Sequence, residues 1–365
     1  MLLPRAYARG HGTLPGPGSQ VRPGGDRRHR RPWAGLHPRP AHRVRLRAAR
    51  RGGGLAGEAS APGQGTALGA GGWRGSRRGT QRQARRQKEG QRLTGGFRLA
   101  VSTWTFSQRP LFEALDILHL LGATDVELWA NGTHLDPRCE PPEIEEVAAA
   151  LDRLGLAAHS LHAPFRGLDL AAPAPEERQE AVATIGRALE IAARLDCPYV
   201  VVHPSDGSDR GEGPEREAAW QRTAASLEQL SRRAWELGVT ILIENLPDPG
   251  GRVIGGRSAD LLALLEAVGS PHLGICLDVG HALVSTGGWE RELAAVFPYL
   301  RSIHAADGDG SADAHLPLGE GAVPWERLLG ALRQRGYSGG FVLEVAGGEE
   351  GVRRSLELIS RLRSG

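Results

Sequence analysis

His162, His203, Glu244, Asp278, His304 and Glu344 each close a short apolar run, at intervals of 41, 41, 34, 26 and 40 residues. Histidine, aspartate and glutamate ligate divalent cations, and the same side chains take and return protons in acid–base catalysis. One polar residue at the end of an apolar run means little, because chains leave the core there. Six in succession, each about one strand-plus-helix unit from the last, imply that all six open on one face. A second group lies just beyond. His281 follows Asp278 by three residues in Asp-Val-Gly-His, and Asp313 and His315 sit in a Gly-rich stretch spanning 310–321. An Asp-x-His pair with one further His gives three ligands and an open position, as catalytic zinc requires. A hydrogen-bonded loop, or a set of contacts to substrate hydroxyls, accounts for the same three residues equally well.

The elements that must position these residues are legible as alternation. Apolar runs fall at 97–104, 124–129, 156–162, 198–203, 239–244, 273–278, 300–304 and 339–344. Between them lie stretches with apolar residues three and four apart, such as Glu176–Leu195, Trp220–Leu237, Val323–Arg335 and Gly351–Leu362. Leu154-Gly155-Leu156 and Leu237-Gly238-Val239 place Gly where a helix ends in the left-handed conformation before the next strand. Continuous apolar strands alternating with amphipathic helices mean a parallel sheet covered by helices. Eight such units in about 270 residues predict a closed (β/α)8 barrel. A doubly wound open sheet is the runner-up, weakened because no Gly-rich phosphate loop follows the first strand.

The remaining candidates carry less. His119 falls in a Leu-rich helical pattern, and His134 and His272 fall in polar loops. His159 is three residues from His162 within one strand, an odd offset that predicts opposite faces. All four read as structural or solvent-exposed. Glu127 is expected either to reach into the barrel toward substrate or to make a buried ion pair, the pair being favoured. Trp104 and Trp129, at the ends of the first two strands, suit either core packing or the walls of a sugar pocket. The only lysine, Lys88, lies upstream of the first strand, so the barrel has no Schiff-base nucleophile. No nucleophile elbow, Walker loop or dinucleotide fingerprint is present.

Charge divides the chain. Residues 1–95 hold 20 Arg, one Lys and three acids, a formal charge of +18, whereas 96–365 carry 24 Arg against 39 acids, or −15. Rich in Gly, Pro and Arg and without periodicity, residues 1–95 are expected to be a disordered, basic, low-complexity segment. Three readings compete for it: a basic arm for nucleic acid or an acidic surface, a transit peptide, or a leader absent from the native protein. We favour the last, with translation starting further in, at a non-ATG codon that would leave no methionine to mark it since Met1 is the only one, and with 96–365 forming the barrel domain. The three cysteines, Cys139, Cys197 and Cys276, are widely and irregularly spaced, which predicts reduced structural thiols. With no secretory h-region and no membrane-length apolar run, a cytoplasmic protein is expected.

Five motifs, His-Ala-Pro-Phe (162–165), Val-Val-His-Pro (201–204), Ile-Glu-Asn-Leu-Pro (243–247), Leu-Asp-Val-Gly-His (277–281) and Asp-Ala-His-Leu-Pro-Leu-Gly-Glu-Gly (313–321), occur in order. Together they resemble the xylose-isomerase-like TIM barrel superfamily, which contains the sugar phosphate isomerases and epimerases and the metal-dependent apurinic (AP) endonucleases of family 2. The resemblance covers about 97–346. It implies a central divalent metal, Mn²⁺, Mg²⁺ or Zn²⁺, on Glu244, Asp278, His304 and Glu344. In the endonuclease branch, His162 and His203 would share Glu244 to hold another zinc, and His281, Asp313 and His315 a third. Two departures and the charge favour the isomerase branch. Ala163-Pro164-Phe165 stands where DNA-penetrating residues are expected, Ala314 replaces the Arg of an Asp-Arg-His triplet, and an acidic barrel repels duplex phosphate. The implied activity is isomerisation or epimerisation of a sugar or sugar phosphate, by proton transfer through a metal-stabilised enediolate. Glu244 and Glu344 would be the acid/base pair, and His162, His203 and His281 would contact hydroxyls. The alternatives are an AP endonuclease-like phosphodiesterase and a sugar-binding barrel without activity. A small sugar is the expected partner, nucleic acid and membrane are not, and a homo-oligomer is compatible with the sequence.

Overall fold

The computed structural model describes residues 96–139 and 142–364. The expectations for residues 1–95, including disorder, an absent leader and the domain boundary, lie outside them. Eight parallel strands close into a barrel in chain order, so the open-sheet alternative is excluded. They are β1 (Arg98–Ser102), β2 (Asp125–Trp129), β3 (Ala157–His162), β4 (Tyr199–Val202), β5 (Thr240–Glu244), β6 (Leu273–Asp278), β7 (Leu300–Ala305) and β8 (Gly340–Leu343). The helical segments are α1 (Leu111–Leu120), α2 (Ile144–Leu154), α3 (Pro175–Arg194), α4 (Pro214–Leu237), α5 (Ser258–Val268), α6 (Val279–Thr286), α7 (Glu290–Val296), α8 (Trp325–Gln334) and α9 (Gly348–Ser364).

The helices start where local chemistry favours it. Pro175 opens α3, followed by Glu176 and Glu177, and its apolar stripe Ala181, Ile185, Ala188, Leu189 and Ala192 is buried. Pro214 does the same for α4 with Glu215 and Glu217, six residues ahead of the expected Trp220. Gly155 and Gly238 cap α2 and α4 with φ of 69° and 71°. None of the helices among the described residues is long and apolar enough to cross a membrane. The helices α6 and α7 were not foreseen; they are short, and α6 starts directly after a strand, whose last residue, Asp278, is its N-cap.

Strand parity explains where the candidate ligands point. Val200, Val202, Ile241, Ile243, Ile275 and Leu277 pack in the large core between strands and helices. Val201, Leu242 and Cys276 form a separate cluster with Tyr199 inside the barrel. Two residues on from these inner positions come His203, Glu244 and Asp278, which therefore also face inward. All three cysteines are free; burial pushes the thiols of Cys197 and Cys276 up to about 12.

One expectation about the interior fails. His159 and His162 do not point to opposite faces, because the β2–β3 register skips His159. Ala158 pairs with Val126 and Ser160 with Glu127, so β3 carries one extra residue, a bulge that changes side-chain parity. His159 instead spans the barrel, its Nε2 3.4 Å from Ser302 Oγ on β7. A Cβ on Gly340 of β8 would meet that nitrogen at 1.9 Å. Gly340→Ala is therefore expected to cost about 1–3 kcal/mol by overpacking, a fall in Tm of roughly 3–10 °C. Adding His159→Ala should recover part of it. Strict additivity of the two substitutions in thermal melts would show that the clash is not what Gly340 avoids.

Candidate metal centre and active site

The C-terminal ends of β3 to β8 bring the nine candidates into three groups. His162, His203 and Glu244 form one, Glu244, Asp278, His304 and Glu344 a second, and His281, Asp313 and His315 a third; within each, one potential ligand atom per residue lies within 4.8 Å of the others. Glu244 belongs to two groups. His203 and Glu344 stand one residue past their strands, and His304 one residue before the end of β7.

Hydrogen bonds orient the imidazoles. Nδ1 of His162 lies 2.9 Å from the Ala163 carbonyl, that of His281 2.7 Å from the Asn245 carbonyl, and that of His315 2.8 Å from the Glu344 carbonyl. Each carbonyl can only accept, so each Nδ1 carries the proton and donates it. The opposite nitrogens face carboxylates: His162 Nε2 is 3.3 Å from Glu244 Oε2, and His281 and His315 Nε2 are 3.3 and 3.2 Å from Asp313 Oδ2. His203 Nε2 also approaches Glu244 Oε2, at 3.2 Å. Yet Glu244 Oε2 has no aligned hydrogen-bond donor, and buried Asp278 Oδ2 has no partner. Two buried carboxylate oxygens without a donor, each within a group of close ligand atoms, suit a divalent cation. The four-residue group is carboxylate-rich and the other two are His-rich.

The surroundings of these ligands are equally specific, and the sequence did not single them out. Asn245 bridges β5 and β6 by accepting from Asp278 N at 2.8 Å and donating to Asp278 O at 2.9 Å. Asp278 Oδ1 accepts the backbone N–H of His281 at 2.6 Å, capping α6 and fixing His281 on its first turn. Buried Asp307 accepts from the backbone N–H of Gly308, Gly319 and Val323 and from Trp325 Nε1, at 2.7–3.0 Å. It thereby folds the loop that carries Asp313 and His315. Asn245 adjoins Glu244 in its motif, which was a usable signal. Nothing in the sequence separates Asp307 from other loop acids.

The electrostatics follow from five acids facing five histidines in low dielectric. Burial alone would lower His304, but the carboxylates of Glu127, Glu244 and Glu344 surround it and hold it well above the usual range. Against the same burial, Asp278, Asp313 and Glu244 raise His281 to about 10, and Asp313 and Glu344 raise His315 to about 9. Desolvation raises Asp278 to about 6. Glu244 and Glu344 move the other way: burial is outweighed by the histidines around them, chiefly His304, which bring Glu344 to about 2 and Glu244 well below its ordinary value. The metal-free site thus holds protons at pH 7 on His281, His304 and His315. Those protons must leave before these nitrogens can ligate. Metal binding is expected to release protons at neutral pH and to tighten as pH rises toward 9–10. Calorimetric heats identical in buffers of different ionisation enthalpy would contradict this.

A cavity of about 460 Å³ opens above the clusters, walled by Trp104, Trp129 and Phe165. Glu244 and Glu344 line it, whereas Asp278 and His304 lie beneath and are almost fully buried. Trp104 packs on His315 with ring centroids 4.5 Å apart, and Phe165 stacks on His203 at 4.3 Å. Of the other histidines, His119 is exposed. His134 is buried, between Thr103 Oγ1 and the Arg109 carbonyl, and His272 is tied to the Val239 carbonyl. Glu127 is fully buried beside His304, so the paired alternative holds for it.

Comparison with known proteins agrees with this geometry. A 228-residue stretch, 62% of this chain, is 24% identical to the fructoselysine 3-epimerase of Escherichia coli O157:H7 and covers 82% of it. Over 169 residues, 42% of this chain, the identity to a probable endonuclease 4 of Oleidesulfovibrio alaskensis is 34%; this match spans 56% of that protein. A solved structure of a D-tagatose 3-epimerase-like protein aligns with a TM-score of 0.65 at 26% identity, covering 73% of this chain and 97% of the other. The model of the xylose isomerase-like TIM barrel family matches residues 115–362. That match begins in α1, ends in α9 and takes in every strand that ends on a candidate ligand; the chain belongs to the xylose isomerase-like TIM barrel family.

Proposed function

We propose that the barrel is a divalent-metal-dependent isomerase or epimerase of a sugar or sugar phosphate, with Glu244 and Glu344 as its acid/base pair. The observation that carries this reading is that these two glutamates, from strands three apart, both face the cavity and both belong to the buried four-ligand group. Asp278 and His304, beneath the floor, complete that group. A divalent cation bound there supplies Lewis-acid polarisation of a carbonyl and its neighbouring hydroxyl. Mn²⁺ or Mg²⁺ suits the carboxylate-rich group and Zn²⁺ the His-rich ones. One glutamate takes the proton from the carbon beside the carbonyl, and the other returns one to the opposite face, which gives an epimer. Return to a neighbouring carbon on the same face gives an isomer. His162, His203 and His281 are the hydroxyl contacts in this reading, and Trp104, Trp129 and Phe165 exclude water from the sugar's apolar face.

A second reading, metal-dependent cleavage of abasic-site DNA, is favoured by two observations: all three ligand groups are complete, and the endonuclease-like relative is more identical than the fructoselysine 3-epimerase, over a shorter span. Against it stand the −15 charge of residues 96–365 and the packing of Phe165 on His203 rather than free of the surface. The discriminating experiment loads the chain with Mn²⁺ or Zn²⁺ and offers both a panel of ketoses in deuterated water and an abasic-site duplex. Deuterium incorporation beside the carbonyl supports the epimerase reading. Metal-dependent incision with no exchange into any sugar replaces it with the second.

A further inference from the structure

We propose that Glu127, which belongs to none of the three ligand groups, is a positioning residue that fixes His304 in the tautomer whose Nδ1 is free to ligate. Glu127 lies on β2 and His304 on β7, on well-separated strands of the barrel, yet Glu127 Oε2 is 3.0 Å from His304 Nε2. A carboxylate accepts and cannot donate, so Nε2 carries a proton, and Nδ1 carries one too until a cation displaces it. Nδ1 faces Glu244 Oε1 at 2.9 Å and Glu344 Oε2 at 3.0 Å, inside the four-ligand group, whereas Glu127 lies outside that group and keeps the Nε2 proton when the Nδ1 proton leaves. Ser160, just past the β3 bulge, donates to the same Glu127 oxygen at 2.8 Å and holds the carboxylate in place. Both Glu127 and His304 are fully buried, and Arg98, a buried cation on β1, pairs with Asp125.

This inverts the pattern of the other ligand histidines. His162, His281 and His315 tie Nδ1 to a backbone carbonyl and present Nε2. His304 ties Nε2 to an ionisable side chain and presents Nδ1. A carboxylate behind the imidazole makes the ligating nitrogen more electron-rich than a carbonyl does, so it strengthens the bond to a cation as well as orienting the ring. The consequence is that affinity at the central site depends on a residue that belongs to no ligand group and does not line the cavity.

The inference rests on the metal centre of the proposed function but not on its sugar chemistry, and the test separates the two. Glu127→Gln keeps the shape and can still accept the N–H from His304, but removes the charge. In competition against a fluorescent chelator, the full chain carrying Glu127→Gln is expected to bind Mn²⁺ and Zn²⁺ 10–100-fold more weakly than wild type. A second readout is the His304 Nε2–H proton resonance of the Zn²⁺-loaded chain, assigned by its loss in His304→Asn. It should lie far downfield in wild type and move upfield in Glu127→Gln, a change that a merely space-filling Glu127 would not produce. Should Glu127→Gln melt early in chelator, Glu127→Asp, which keeps the charge and withdraws it by one methylene, carries the same two measurements. Wild-type affinity with an unmoved resonance would overturn the proposal. Tight metal binding that depends on Glu127, in a protein inert toward every ketose, would uphold it while the epimerase reading fell.

Discussion

Replacing Glu344 by Gln is expected to lower deuterium exchange into the sugar by roughly 10³-fold, the middle of the range for loss of a positioned acid/base group. Glu344 stands one residue past β8, lines the cavity and contacts His304 at 3.0 Å through Oε2. With a carboxyl held near 2 by its histidines, it is fully ionised at neutral pH, as a group that accepts a proton must be. The amide keeps the volume and can keep one oxygen on a cation, but it cannot take the proton. The loss should therefore fall on kcat, with substrate affinity changed far less. Equal exchange by wild type and Glu344→Gln would remove Glu344 from the chemistry and leave the sugar reading without its second carboxylate.

Glu244→Gln should do more, because Glu244 is common to two ligand groups. One oxygen faces His162 and His203, the other His304. Its loss is expected to lower metal content at both groups together, seen by elemental analysis of the purified chain. A tightly held ion stabilises the native state by about 2.7 kcal/mol at a free concentration 100 times its Kd. Wild type should therefore melt several degrees lower in chelator, and Glu244→Gln should melt at nearly the same temperature with and without it. Full metal content in Glu244→Gln would mean that the ions are held without Glu244, and no metal above background in folded wild type would mean that these side chains are an ion-pair network and no more.

The barrel was legible because its determinants are local. Eight apolar runs and the helical stretches between them are statements about neighbouring residues, and eight repeats leave few ways to bury them. The convergence of Glu244 and Asp278 was also readable, since the ends of all strands in a parallel barrel open on one face. What escaped depends on pairings between strands or on loops. The bulge at His159 is a property of the β2–β3 register, so counting along β3 alone gave the wrong face. Helices α6 and α7 are shorter than the periodicity needed to see them. Asn245 and Asp307 act through backbone groups up to 33 residues away, and their partners carry no signature in their own side chains. Glu127 was read as paired, but its partner on β7 could not be named before the barrel closed.

The extra residue at His159 also sets how this strand tolerates a change of length. Upstream of it, Ala158 packs outward; downstream, Ser160 and His162 face the interior and Leu161 faces the helices. Removing His159 would leave Ala158 outward, Ser160 inward, Leu161 outward and His162 inward, an unbroken alternation in the register β3 already keeps with β2. A single-codon deletion at this position is thus a trim that keeps every downstream side chain in phase, and the first of the six strand-end ligands survives it.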